Sequence, residues 1–122
     1  YRIEVLKRVL DLPISPELLP AGKDGEIVQK TEESIGKYDL HDFFLYHFLR
    51  NGFGREKIKK LARIAYPQVP EEELEKTLTV FYSRMRTQQF KRSCIPDGVK
   101  IGSVALSPRG DLRLPSDLSA LW

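Results

Sequence analysis

The chain has 122 residues, 41% hydrophobic and 30% charged, with a formal net charge of +3. That mixture excludes a disordered polypeptide, and the length leaves room for one domain at most. Cys94 is the single cysteine, which excludes an internal disulfide framework and makes a reducing, cytoplasmic setting the expectation.

Ile3, Leu6, Val9 and Leu10 recur at helical spacing, so residues 1–11 read as the end of an amphipathic helix. A chain that begins at Tyr1 inside such a helix reads as cut from something longer. Pro13, Pro16 and Pro20 remove backbone donors, and a turn follows at Ala21–Gly25. Residues 12–37 are therefore expected to form a long irregular loop with one short helical turn. Such loops are uncommon within a domain unless they are functional or disordered.

Asp39 is placed to cap a helix whose apolar face is Leu40, Phe43, Phe44, His47 and Phe48, closed by Gly52 after Asn51. A second helix, about 55–66, turns Ile58, Leu61, Ala62 and Ala65 inward and Arg55, Lys57, Lys59, Lys60 and Arg63 outward, and Pro67 ends it. The third starts at Pro70 with Glu71, Glu72 and Glu73 against the helix dipole. Its stripe is Leu74, Leu78, Phe81, Tyr82 and Met85, and it runs to about Gln89. Short connections make this a mainly α chain, a small three- to four-helix array of antiparallel type. After Cys94 only a turn near 116–121 is expected, so an extended tail must dangle or lie on another surface. No apolar run approaches the ~20 residues of a membrane span.

The stretch Gln88–Pro96, continued by Ser107–Asp111, lacks the repeating apolar positions of a helix or strand. Between Arg84 and Arg113 seven cations face only Asp97 and Asp111, an excess of five in a chain of net charge +3. Irregular backbone beside positive charge suits phosphate or carboxylate groups. The simpler reading is that Lys91 and Arg92 follow a helix end and oppose its dipole. Ser15, similarly, is most simply a capping or turn hydroxyl.

Other chemistry is thin. His41 and His47 lie about 240° apart on a helix and cannot share a metal; one reads as a surface imidazole, the other as the rim of the core. Cys94 stands beside Arg92 but has no histidine nearby in sequence, so it does not read as a catalytic thiol. Arg109-Gly110-Asp111 reads as a chance tripeptide, and Lys57, Lys59 and Lys60 as a solvated face without interleaved aromatics. Phosphate-loop, nucleophile-elbow and zinc spacings are absent from the sequence, so no catalytic residue and no metal ligand is assigned.

Pro13–Pro20, Gln29–Glu33, Tyr38–Tyr46, Gln88–Ser93, Gly102–Val104, Leu106–Asp111 and Pro115–Asp117, in that order, resemble the last part of glutamine-dependent NAD+ synthetase. The resemblance implies a C-terminal piece, residues 1–122, of an α/β synthetase (ammonia-ligase) domain of adenine-nucleotide-hydrolase type. The family's Ser-Gly-Gly-x-Asp-Ser pyrophosphate loop and its nitrilase-like glutaminase domain are missing from this sequence. In that family ATP and Mg2+ serve to adenylylate deamido-NAD+, and ammonia from the glutaminase domain then displaces AMP to give NAD+. Carried over by motif, Lys91 and its neighbour Arg92 are implied contacts of deamido-NAD+, and Ser15 of ATP. The resemblance also implies a homo-oligomer, no nucleic-acid partner, and a fragment that is inactive alone and holds no nucleotide stably.

A reading of another class is a free-standing helical interaction module whose basic tail binds an acidic protein or nucleic acid. It predicts a start codon close to Tyr1 and steeply salt-sensitive binding.

Overall fold

Alternation of apolar and polar positions at helical spacing builds most of what is seen. The computed structural model describes residues 2–12, 31–96, 98–115 and 117–118. The chain divides into two units, residues 1–36 and 37–122. The first holds α1 (Arg2–Leu10) and the five-residue α2 (Thr31–Ile35). The expected stripe Ile3, Leu6, Val9 and Leu10 lies on α1 and is exposed. Helix α2 is the helical turn expected within 12–37; residues 13–30 of that loop lie outside the described residues.

The second unit contains α3 (Tyr38–Leu49), α4 (Arg55–Ala65), α5 (Glu71–Thr87) and the short α6 (Gln89–Ser93). Helices α3, α4 and α5 pack pairwise around one core. Leu40 and Phe44 enter it from α3, Ile58 and Ala62 from α4, and Leu74, Leu78, Phe81 and Met85 from α5. Each predicted face contributes to the core, but Ala65 is exposed and Phe43, His47, Phe48, Leu61 and Tyr82 are only half-buried. Ring edges lock the centre: Phe44 and Phe48 meet Phe81 at centroid distances of 5.7 and 6.1 Å, with steep interplanar angles. Thr77 is buried too, its hydroxyl donating to the Glu73 carbonyl at 2.8 Å. No strand occurs among the described residues.

The helix ends differ from expectation in detail. Lys37, not Asp39, is the N-cap of α3, and Asp39 sits in its first turn, where a carboxylate still opposes the dipole. Beyond α3 the chain reverses through Gly52 at φ +63, with open space around its Cα. Phe53 then donates its N–H to the His47 carbonyl at 3.1 Å and stacks on the imidazole at 5.7 Å. Among the described residues no helix is long and apolar enough to cross a membrane.

The tail runs exposed through Val99 and Ile101 and then docks on the helices. Leu112 is 5% exposed within the core, and Leu106 and Leu114 pack against it half-buried. Residues 104–114 thus form an irregular strap over the helices. Apolar periodicity could not reveal it, because a strap anchors through single residues rather than a repeating face.

Candidate functional site

Helix α5 ends where Gln88 leaves the helical region, at φ −104 and ψ 14. Helix α6 resumes at Gln89, so the irregular backbone expected from residue 88 is instead helical over 89–93. The reason lies in the core position. Gln89 continues the stripe of Phe81 and Met85 and is wholly buried, but it is polar, so a search for apolar repeats passes over it. Its amide Nε2 donates to the Leu114 carbonyl at 3.1 Å. Its Oε1 accepts from Arg92 Nε at 2.8 Å.

Arg92 lies on the same face of α6 as Gln89. Its Nη2 also donates to the Met85 carbonyl, reaching back across the break at Gln88 to the last turn of α5. Burial pushes the guanidinium below its usual value. Lys91, one position earlier, points elsewhere because neighbouring helical residues diverge by about 100°. It is exposed, its Nζ 6.0 Å from the centroid of the Phe90 ring, and no carboxylate pairs with it among the described residues. The structure therefore separates the two cations that the sequence sets side by side: one braces the backbone, the other is presented outward. Ser15, the third expected site residue, lies outside the described residues.

The strap is folded by its own polar groups. Asp111 Oδ2 accepts the Ala105 N–H at 2.9 Å and pairs with Lys100 Nζ at 2.8 Å. The Lys100 bond first, then the Ala105 N–H, holds the Asp111 carboxyl below its usual range. Ser107 receives the Gly110 N–H on its carbonyl at 3.0 Å and the Arg109 N–H on its hydroxyl at 3.3 Å. Arg109 Nη1 reaches the Ile95 carbonyl at 3.4 Å. The tripeptide Arg109-Gly110-Asp111 is thus part of a turn with internal work to do. Several cations of the basic stretch are likewise engaged within the fold.

The basic face of α4 is not simply solvated. Arg55 Nη2 meets Glu75 Oε1 at 2.5 Å, and Lys59 Nζ meets Glu75 Oε2 at 2.7 Å. Arg63 Nη1 approaches Glu71 Oε1 at 3.3 Å. Bonds from Lys59 and then Arg55 lower the Glu75 pKa, and the Glu75 bond raises that of Lys59. Of the cluster Lys57, Lys59 and Lys60, only Lys57 and Lys60 are exposed, and Lys57 Nζ stands 3.5 Å from the Phe53 ring centroid. An open groove along this face, lined by Lys59, Glu71, Glu75 and Thr79 among others, belongs to the first half of α5 and not to α6.

Neither histidine is a surface group, since His41 and His47 are both half-buried. His41 meets Phe44 and Phe81, while His47 packs on Phe43 and accepts from Asn51 Nδ2 at 2.8 Å. Among the described residues no three His, Cys, Asp or Glu side chains converge on a metal position. Cys94 is exposed, its thiol directed at the Phe90 carbonyl at 3.4 Å.

Gln89 is the residue that sequence reasoning missed. Extending the α5 stripe by four residues from Met85 would have pointed to it, had polar residues been admitted.

The chain matches no protein-family model. It is 41% identical to proteins named glutamine-dependent NAD(+) synthetase from Mycobacterium bovis and Mycobacterium tuberculosis, over 98% of this chain and 20% of each relative. The Mycobacterium leprae protein of the same name is 41% identical over the same shares. The chain thus spans about a fifth of the length of these curated relatives. The similarity seen in separate motifs extends over nearly the whole chain.

Proposed function

We propose that this chain is the C-terminal region of the ammonia-ligase domain of a glutamine-dependent NAD+ synthetase, where it supplies substrate-binding residues. The observation that carries the reading is 41% identity sustained over 98% of the chain. In the complete enzyme the carboxylate of deamido-NAD+ attacks the α-phosphorus of ATP and pyrophosphate leaves. Ammonia from the glutaminase domain then displaces AMP, and NAD+ results. These parts act in a cytoplasmic homo-oligomer.

Within this scheme Lys91 binds the deamido-NAD+ anion. Its exposed ammonium, on a helix whose other face is buried, suits a diphosphate better than a mobile tail would. Arg92 completes the same patch mainly as a brace, because its guanidinium is occupied by Gln89 and Met85. Ser15 takes the ATP contact. Bound magnesium would supply charge neutralisation on the triphosphate. The described residues offer no cluster suited to hold it, so no step here runs through it.

A charge-assisted contact of this kind contributes about 1.5–3 kcal/mol. Lys91→Ala in the complete enzyme should therefore raise the Michaelis constant for deamido-NAD+ about tenfold or more. Unchanged kinetics would remove Lys91 from the site. The isolated chain should form no NAD+ from deamido-NAD+, ATP and ammonia, and turnover by it would overturn the division of labour proposed here.

A further inference from the structure

We infer that Gln89 is a positioning residue that sets where the Lys91 ammonium stands, by tying α6 to both α5 and the strap. The inference rests on Lys91 being the deamido-NAD+ contact proposed above.

Gln89 is wholly exposed to protein and not at all to water, at a point where Met85 and Leu112 line the same core. A buried amide is costly unless both its ends are bonded. Here both are: the donor end holds the Leu114 carbonyl of the strap, and the acceptor end holds Arg92. Arg92 in turn reaches the Met85 carbonyl of α5. A leucine or methionine would fill the volume without needing partners. What the amide adds is direction, since its bond to the Leu114 carbonyl, and the bond to the Met85 carbonyl made by the Arg92 side chain it holds, form at one rotation of α6 about its axis and not at others.

Direction is needed because α6 is only five residues long and has little helical stability of its own. Lys91 follows Gln89 by two positions and projects on the far side, about 200° around the axis. An ammonium at the end of a lysine lies roughly 8 Å from the helix axis, so a turn of about 20° moves it about 3 Å. A displacement of that size exceeds what a charge-assisted hydrogen bond tolerates, so the flexible lysine stem would have to leave its preferred rotamers to restore the contact. The buried bonds at Gln89 therefore control a contact that Gln89 itself never makes.

Two variants separate the parts. Gln89→Met keeps the volume and removes both bonds. Gln89→Glu keeps the acceptor for Arg92 and sets an oxygen against the Leu114 carbonyl, loosening the strap alone. In the complete synthetase, Gln89→Met should raise the Michaelis constant for deamido-NAD+ about fivefold or more while kcat changes less. In a Lys91→Ala background the same change should have under about twofold effect, because the group it positions is gone. Equal effects in both backgrounds overturn the inference.

Amide exchange gives a reading that does not depend on activity. Gln89→Met should speed exchange over 89–93 and 105–114 while α3 and α4 stay protected, and Gln89→Glu should do so mainly over 105–114. Unaltered exchange in both segments would dismiss the clamp, whatever the kinetics. If Lys91→Ala alone leaves the Michaelis constant unchanged, the site proposal fails and takes the positioning role with it. Fast exchange in that case would mark Gln89 as a structural link only.

Discussion

Leu112→Ala tests whether the strap is a working part of the fold. Leu112 is 5% exposed and the deepest residue of the strap, in a core otherwise built by α3, α4 and α5. Replacing a buried leucine by alanine costs about 2–5 kcal/mol, depending on how far the site can collapse. A strap covered on one side can sink into the space left, so the low end applies, about 2.5 kcal/mol. For a unit this small the urea dependence is about 1–1.5 kcal/mol per molar, and the midpoint should fall by about 2 M. The thermal midpoint should drop by roughly 10–20 °C. Leu106→Ala, at a half-buried position, should cost about 1 kcal/mol and serves as the comparison. Limited proteolysis distinguishes cooperative loss from local release, since local release exposes residues 104–114 before the helices. A midpoint shift under about 0.3 M together with unchanged cleavage of the strap would refute docking through Leu112.

Phe44→Ala should cost about 3–5 kcal/mol and leave the helical unit close to unfolded at 37 °C, read by the loss of the far-ultraviolet circular dichroism transition, because the ring is wholly buried between Phe43 and Phe81. Gly52→Ala should lower stability by about 1 kcal/mol through backbone strain alone, since nothing lies within 4 Å of the added methyl; Gly52→Asn should cost less in the same denaturation assay. The Asp111 carboxyl is held below its usual 3.8, so its contribution is complete above that pH and disappears as pH falls through the lower folded value. Pepsin cleavage of the strap should accordingly rise between about pH 4 and 2, and Asp111→Asn should show faster cleavage at pH 4 with little further change below it.

The three long helices were legible because their buried faces are made of apolar residues at one spacing. Leu74, Leu78, Phe81 and Met85 announce α5 without any help from tertiary structure. Two kinds of feature stayed hidden. Gln89 occupies a core position with a polar side chain, which hydropathy reads as an interruption. The strap is held on the helices by Leu112 and by the Leu114 carbonyl that Gln89 reaches, each with partners that only the folded chain brings near. The candidate site shows the same limit. Motif resemblance singled out Lys91 and Arg92 together, and only helical geometry assigns them different work. The basic face of α4 was half legible: its cations are where the pattern puts them, but pairing of Lys59 with Glu75 depends on the packing of α4 against α5.

Helix α5 carries Glu71, Glu72 and Glu73 in its first turn and Arg84 and Arg86 in its last. Its 17 residues span about 25 Å, roughly three screening lengths at physiological ionic strength. Charges at its two ends are therefore electrically insulated from one another in solution. The acidic end can settle its account with α4 while the basic end, running on into α6, keeps a positive potential undiminished by those carboxylates. One helix thus separates an ion-paired structural seam, at Glu71 and Glu75, from a basic terminus, and each can vary in sequence without retuning the other.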